Sequence, residues 1–176
     1  MAVRRIITYG HALLKQRAAP VQEVDAAVRE LIGDLFDTMY AARGIGLAAN
    51  QVGELTRVIV VDPRPSRPDD SEALALVNPE IIEYAGSETF EEGCLSVPGV
   101  YAQLRRPDRI VVGYLEASGE EQTREFTGMM ARVIQHEIDH LEGRLFVERL
   151  SSLRRTLLMK KLREIEGEPS SRSPLL

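Results

Sequence analysis

Apolar residues recur three and four positions apart in three stretches of the chain, and this spacing predicts amphipathic helices. The first stretch runs from Asp25 to Arg43, where Asp25 is the expected N-cap and Gly44 the expected stop. A second helix is predicted from Thr127 to a point before Gly143, and a third from about Ser151 to Glu166. The second helix is apolar on more than one side, so we expect it to be buried in the middle of the domain.

Segments rich in β-branched and aromatic residues fill the region between the first two helices. They predict short strands at Arg57–Asp62, Leu74–Val77, Ile81–Tyr84, Val100–Leu104, Arg109–Glu116 and Gln122–Phe126. Ser118-Gly119 marks a hairpin turn between the last two strands, and the proline-rich segment Asp62–Asp70 is predicted to be a mobile loop. The pattern therefore predicts an α+β fold in which short, mostly antiparallel strands surround a central helix, with one helix before them and one after.

Length and composition are those of one globular domain. The chain has 176 residues and no internal repeat, so we predict one domain over residues 1–166 and a disordered Ser/Pro-rich tail over 167–176. The net charge of −5 excludes a global basic field for nucleic acid. No apolar run is long enough to span a bilayer. Cys94 is the single cysteine, which excludes an intrachain disulfide and suits a reducing compartment. We expect a cytoplasmic protein with no membrane partner.

The candidate chemistry begins in the second predicted helix, which carries two histidines four residues apart. His136 and His140 lie on one helix face, so both imidazoles can reach a single metal ion. Glu137 follows the first histidine and is placed to move protons for a water molecule at that ion. The alternative is a pair of solvent-facing histidines, which the apolar surroundings disfavour. The segment therefore predicts a central metal-binding helix.

The third ligand decides the chemistry of such a site, and the spacing of residues leaves it open. Cys94 lies in the segment Glu91–Gly99, which we interpret as a glycine-flanked turn. A thiolate there can bind a metal, but a lone cysteine is also often a small buried hydrophobe. Glu164 is a downstream carboxylate, although it sits on a predicted solvated face.

A third segment, Gly44–Gln51, is small and apolar and ends in a neutral amide. Its backbone is open enough for another molecule to lie against it. By itself, however, this composition is more typical of a tight connection between a helix and a strand. His11 has no partner motif, and we interpret it as an ordinary surface or turn residue.

Together these three segments resemble the peptide deformylase family. The family's Gly-x-Gly-x-Ala-Ala-x-Gln motif is matched within Gly44–Gln51, its Glu-Gly-Cys-x-Ser motif by Glu92–Ser96, and its Gln-His-Glu-x-Asp-His motif by Gln135–His140. The motifs occur in the family's order, and the resemblance covers about residues 4–150. Glu148 stands where the family pattern has an aspartate. The resemblance implies that this chain has an α+β fold and releases formate from N-formylmethionyl peptides.

The resemblance implies roles for particular residues. It implies that Cys94, His136 and His140 bind one divalent ion, with Fe2+ expected physiologically and Zn2+, Ni2+ or Co2+ possible in preparations. It makes Glu137 the proton carrier and assigns the oxyanion to the Gln51 side chain and the Leu95 backbone N–H. The implied substrate-binding residues are Gly44, Ile45, Gly46, Gly93, Arg132 and Val133.

Three further hypotheses concern residues around this site and on the third helix. Glu92 and Arg106 are expected to pair, and Asp139 to orient a ligand or a strand. The third helix is basic within an acidic protein, and the resemblance implies contact between this helix and the ribosome. Two rival functions remain open. One is a peptidase with a carboxylate as third ligand, and the other is a metal-stabilised binding module without turnover.

Overall fold

The first helical pattern forms helix α1 (Ala26–Ala41) in the computed structural model, which describes residues 2–63 and 72–168. Asp25 caps this helix as predicted, because its Oδ1 accepts a hydrogen bond from Val28 N at 2.9 Å. The helix ends where Arg43 takes the left-handed conformation at φ 56°. The N–H of Gly44 then donates to the carbonyl of Met39 at 2.9 Å. This stop points the chain directly into the first strand.

Antiparallel strands make up most of the remaining core. A five-stranded sheet has the order β1-β2-β3-β6-β7, and β4 and β5 form a separate hairpin. Buried residues of α1 pack on one face of the sheet, and the second helix covers the other. The strands are β1 (Gly46–Ala48), β2 (Val58–Val61), β3 (Leu74–Ala85), β4 (Glu88–Cys94), β5 (Val97–Arg106), β6 (Arg109–Leu115) and β7 (Glu121–Thr127).

Strand β3 corrects the prediction of two separate strands at Leu74–Val77 and Ile81–Tyr84. The two segments join into one strand through an irregular pairing with β6 near Asn78, which has a φ of 52°. The Asn78 side chain both donates to the carbonyl and accepts from the N–H of Val21, each at 2.8 Å. A polar residue that looked like a strand break therefore anchors the preceding loop to the sheet.

Helix α2 (Gly128–Leu141) occupies the centre of the molecule, as its all-round apolar pattern predicts. Met130, Ile134 and Leu141 pack into the sheet, with Ile138 partly buried beside them. Thr127 stands at the N-cap position but makes no capping hydrogen bond with its side chain. Because the helix is enclosed, polar side chains that it carries are buried too, and these form the candidate site.

Helix α3 (Ser152–Gly167) begins close to its predicted start, and Ser151 caps it because its Oγ accepts from Arg154 N. Its buried residues, Leu162 and Ile165, pack against β5 and the preceding 3₁₀ helix Phe146–Arg149. The helix includes Gly167, the first residue of the predicted tail, while most of that tail and of the predicted mobile loop lies outside the described residues. No helix in the described ranges has the length and apolar character needed to cross a membrane.

The N-terminal segment decides between the two alternatives for His11: it is a turn residue, whose N–H donates to the carbonyl of Thr8 at 3.1 Å, and it does not lie at the surface. His11 is buried with an exposure of 3%. Its Nδ1 accepts from Leu13 N at the start of a short 3₁₀ helix, which makes it an N-cap rather than a solvent-facing side chain. Before that cap, Ile7 N donates to the carbonyl of Gln51 at 2.9 Å and Tyr9 N donates to the carbonyl of Ser96 at 2.8 Å. The segment thus joins two parts of the chain that carry candidate site residues.

Candidate metal centre and adjoining cleft

Helix α2 directs both of its histidines toward one point. The Nε2 atoms of His136 and His140 are 3.3 Å apart, as the four-residue spacing on one face predicts. His140 has an exposure of 1%, and its backbone carbonyl accepts a hydrogen bond from the Asn50 side-chain amide. The Asn50 bond holds the backbone of the last turn of the helix in place, and burial restricts the His140 imidazole.

Cys94 completes a cluster of three donors, and its place differs from the predicted turn. It is the last residue of strand β4, so the strand delivers the thiol and only Leu95-Ser96 forms the turn to β5. Cys94 Sγ lies 3.2 Å from His140 Nε2. One donor atom from each of Cys94, His136 and His140 lies within 4.8 Å of the other two.

The donor geometry fits a tetrahedral transition-metal ion. Metal–nitrogen bonds of about 2.0 Å and metal–sulfur bonds of about 2.3 Å place tetrahedral ligands roughly 3.3–3.5 Å apart. The separations of 3.3 Å and 3.2 Å are close to that range. Among the described residues this is the cluster with such spacing, and Glu164 is exposed on α3 outside it. An ion held by these three donors would keep a fourth position for a water molecule or substrate oxygen, and Cys94 and His136 line the adjoining cleft.

A buried network of charged side chains contacts His136 on the side of its ring that faces away from the donor cluster. Glu92 Oε2 lies 3.1 Å from His136 Nδ1, so the carboxylate fixes which imidazole nitrogen faces the cluster. Arg106 donates to both oxygens of Glu92 at 2.6 and 2.9 Å, as hypothesised, and also to Asp139 at 2.8 Å. Arg149 donates to Asp139 from the opposite side. The network ties β4 and β5 to α2 and to the segment before α3.

Charges around the histidines set their protonation in the metal-free protein. Burial alone would lower the pKa of His136, but its hydrogen bonds with Cys94 and Glu92 outweigh burial and raise that pKa well above its usual value. Burial and the neighbouring His136 lower the pKa of His140. Burial by itself would raise the pKa of Glu92, yet hydrogen bonds from His136 and Arg106 hold it well below its usual range. A metal ion would compete with a proton for His136, so metal binding is expected to weaken as pH falls.

Glu137 lies in the same cleft but outside the donor cluster. Burial raises the pKa of its carboxyl to about 7. Its Oε2 is buried and has no hydrogen-bond partner among the described residues. A buried carboxylate oxygen of this kind is normally satisfied by water or ligand. A carboxyl with a pKa near neutrality, next to three metal-type donors, is suited to accept and return a proton.

The Gln51 side chain lines the cleft next to Cys94. Its Oε1 accepts from Ala48 N at 2.8 Å, which fixes the amide plane. Its Nε2 donates to Ser96 Oγ at 3.1 Å and lies 3.7 Å from Cys94 Sγ. Gln51 thus presents a neutral N–H toward the donor cluster without adding charge.

The cluster opens into a cleft of about 530 Å³. All residues named above as substrate-binding by resemblance line this cleft. Val133 forms part of its apolar wall. The Arg132 guanidinium is already engaged, because it donates to Glu92, to the Leu104 carbonyl and to the Glu88 carbonyl. The substrate-binding residues implied by resemblance that line the cleft are Gly44, Ile45, Gly46, Gly93, Arg132 and Val133.

The rim of the cleft is apolar, and the sequence patterns did not identify it. Phe90, Tyr101 and Met129 line the mouth with exposures of 45%, 65% and 38%. The sequence does carry a signal for this rim, namely large apolar side chains at outward-facing positions of the β4-β5 hairpin. Exposed aromatic residues next to a cleft often contact ligands. Ser96 was matched in a motif, but it received no role of its own.

Known proteins resemble this chain over most of its length. A sequence profile described as polypeptide deformylase matches residues 3–156. A peptide deformylase of Chlorobaculum parvum is 48% identical over 162 residues, which are 92% of this chain and 87% of the relative. A peptide deformylase of Ehrlichia chaffeensis, solved in complex with actinonin, superposes with a TM-score of 0.87 at 36% identity, covering 96% of this chain and 100% of that one. A plant peptide deformylase gives a TM-score of 0.90 at 32% identity, over 98% and 94% of the two chains.

These similarities confirm the α+β fold expected from the pattern of helices and strands. The profile match spans all three sequence segments that meet at the cleft, from the glycine segment to the histidines of α2. The identity extends far beyond those segments, across nearly the whole of both the chain and its relatives. The chain therefore belongs to the peptide deformylase family.

Proposed function

We propose that this chain removes the formyl group from the terminal methionine of newly made peptides and releases formate. One observation carries the proposal: the Cys94, His136 and His140 donor atoms converge beside a cleft that Glu137 and Gln51 also line. Hydrolysis of a formamide needs a bound carbonyl, an activated water molecule and a proton for the leaving amine. Each need has a matching group in this cleft.

The proton steps belong to Glu137 in this proposal. A divalent ion held by Cys94, His136 and His140 would polarise the formyl carbonyl and make bound water more acidic. Glu137 accepts a proton from the water that attacks the formyl carbon. It then returns this proton to the amide nitrogen as the carbon–nitrogen bond breaks, which leaves formate and a free amine. Burial favours this cycle because it keeps the carboxyl's pKa near neutrality.

The oxyanion is stabilised by two neutral donors in this proposal. The Gln51 side-chain N–H faces the donor cluster, and Leu95 lines the cleft next to Cys94. Neutral donors stabilise charge that develops in the transition state without pairing permanently with the substrate. Their rigid placement matters more than their charge, because fixed dipoles need no reorganisation during the reaction.

Substrate binding is assigned to the edge strand β1 and the walls beside it. One side of β1 pairs with β2, and β1 is an outer strand of the five-stranded sheet. An extended peptide can add to such an edge at Gly44–Gly46 through backbone hydrogen bonds, which do not depend on the peptide's sequence. Ile45, Gly93 and Val133 would contact the methionine region, and Arg132 would act mainly by supporting that wall. Because the proposed substrate is a product of translation, we expect the enzyme to act in the cytoplasm.

The metal proposed for the physiological enzyme is Fe2+, on the basis of family resemblance. Two imidazoles and one thiolate also suit Zn2+, Ni2+ and Co2+, so the donor set alone does not select among these ions. Anaerobic purification followed by metal analysis and an assay of formate release from formyl-Met-Ala-Ser tests the proposal. We expect formate release with Fe2+. Absence of formate with all four ions would overturn the proposed function.

Cys94→Ser separates this function from the rival peptidase. The variant is expected to lose stoichiometric metal on dialysis, because the soft thiolate is replaced by a weak hydroxyl ligand. The matched control is Glu164→Gln, which removes the exposed carboxylate that a peptidase would need as third ligand. Metal content by mass spectrometry is the readout. Retained metal in Cys94→Ser together with loss in Glu164→Gln would favour the peptidase.

Gly46→Ala tests the close packing between the substrate edge and Glu137. A Cβ at Gly46 would lie 2.6 Å from Val133 Cγ1 and 3.0 Å from Glu137 Cδ, so one of these side chains must move. We expect kcat/KM to fall by roughly tenfold to 100-fold with metal content unchanged, since small misplacements of reacting groups have such effects. Gly167→Ala, at the end of α3, is the control because its added Cβ meets no other part of the described chain within 4 Å beyond its neighbours and its own helix backbone. Wild-type activity in Gly46→Ala would contradict the placement of Glu137.

We also propose that the basic face of α3 contacts the ribosome. Truncation before α3 is a poor test, because Leu162 and Ile165 of this helix are part of the core. Replacing the exposed cations Lys160 and Arg163 with glutamine leaves that packing intact. We expect weaker co-sedimentation with ribosomes and a smaller salt dependence, because fewer phosphate contacts remain. The control replaces Arg5 and Arg29, and equal weakening in both variants would indicate only a general charge effect.

A further inference from the structure

The direction of the Gln51 amide depends on a residue to which no role is yet assigned. An amide plane is fixed only when its contacts define both ends, and a side chain on a flexible stem samples other rotamers otherwise. Ala48 N holds the oxygen end at 2.8 Å, and Ser96 Oγ holds one nitrogen hydrogen at 3.1 Å. The second nitrogen hydrogen is the one left for the cleft, on the side where Nε2 lies 3.7 Å from Cys94 Sγ.

Ser96 is built into the wall on which the amide rests. It has an exposure of 0%, so water cannot replace its hydroxyl as an acceptor. It follows Leu95 directly, and its carbonyl accepts from Tyr9 N at 2.8 Å. Ile7 N donates in the same segment to the carbonyl of Gln51 at 2.9 Å. The backbones of Gln51 and Ser96 are therefore bound to one N-terminal segment, which fixes the separation across which their side chains bond.

We propose that Ser96 is a positioning residue that orients Gln51 Nε2 toward the oxyanion, an inference that rests on the proposed deformylase activity. The hydroxyl occupies one nitrogen hydrogen, so the other is directed into the cleft. Without the hydroxyl, the buried Nε2 keeps only the Cys94 sulfur at 3.7 Å as an acceptor, so the direction of its N–H groups is no longer fixed. Ser96 does not touch the substrate and acts through Gln51 alone.

The effect should fall on the transition state rather than on substrate binding. Oxyanion donors matter most when negative charge develops on the formyl oxygen, so their misalignment lowers kcat and leaves KM nearly unchanged. The loss of one neutral hydrogen bond that orients a donor corresponds to about a tenfold fall in kcat. A serine that served only the fold would instead lower thermal stability and metal content.

A double-mutant cycle on the Fe2+-loaded full chain tests the proposal with Ser96→Ala, Gln51→Ala and the combination. We expect kcat about tenfold lower in Ser96→Ala, with KM within about twofold. In the Gln51→Ala background, Ser96→Ala should cost nothing further, because the residue through which Ser96 acts is gone. Ser118→Ala, in the exposed hairpin turn, is the control and should match wild type.

Each alternative outcome has a distinct meaning. Wild-type kcat in Ser96→Ala, or a full additional tenfold loss in the Gln51→Ala background, overturns the positioning role. Failure of the wild type itself to release formate overturns the proposed function instead. If Ser96→Ala does not fold, Ser96→Cys is measured instead, because it keeps a side chain of similar size but replaces the hydroxyl with a weak acceptor. A fall in kcat with KM nearly unchanged supports the role, and wild-type kcat overturns it.

Discussion

Replacing Glu137 with glutamine is expected to lower kcat by about 10³-fold while the protein keeps its metal and its fold. Glutamine has nearly the same shape as glutamate, so the wall formed with Gly46 and Val133 stays filled. It cannot accept the proton of the attacking water or return one to the leaving amine. Because Glu137 is outside the donor cluster, its replacement leaves Cys94 and the two histidines in place.

Formate release and metal content, measured on the same preparation, check this expectation. The matched control is Glu121→Gln, which makes the same chemical change at an exposed position on β7. Glu137→Gln with near wild-type turnover would place the proton steps on another group. If the wild type also showed no turnover with any metal, Glu137→Gln would change only stability, as expected for a metal-stabilised binding module.

The histidine pair was predictable from sequence because its geometry is local. Four-residue spacing fixes His136 and His140 on one face of any helix, and the apolar pattern of α2 shows that this face is buried. The Cys94 ligand was not predictable in that way. Its proximity to His140 depends on how the β4-β5 hairpin docks on α2, and the spacing between the residues carries no information about docking. Only resemblance to a family supplied it.

The errors in the predicted elements have the same cause. Strand β4 carries four exposed positions, then the buried Glu92, then Gly93 and Cys94, so it lacks the alternation that identifies strands. It is a strand because β5 pairs with it residue by residue. The surface alternative for His11 was wrong, since nothing local indicates that the N-terminal segment is covered. In each case tertiary contacts overrode a local pattern, and these contacts join the segments that form the cleft.

Arg106→Met is expected to lower the free energy of unfolding by about 3–5 kcal/mol, which corresponds to a fall of about 10 °C in Tm for a domain of this size. Arg106 is 2% exposed and is a fully buried cation that bonds Glu92 and Asp139 together. Methionine fills much of the space of the arginine stem. It leaves two buried carboxylates with fewer cations, and this uncompensated charge is the source of the cost.

Urea unfolding of the metal-free protein measures the effect without the stabilisation that metal binding adds. Arg109→Met is the matched control, because its guanidinium pairs with Glu125 at the surface, where such pairs contribute less than about 1 kcal/mol.

The low pKa of Glu92 in the folded state means that wild-type stability is lost as pH falls below about 4.3, the usual value for an unfolded glutamate. This acid-dependent loss should be smaller in Arg106→Met, because the variant has already lost a cation that keeps Glu92 ionised. Equal stability of Arg106→Met and Arg109→Met would contradict this expectation. It would mean that the remaining cations, Arg132, His136 and Arg149, compensate both carboxylates. The network would then position His136 without stabilising the fold.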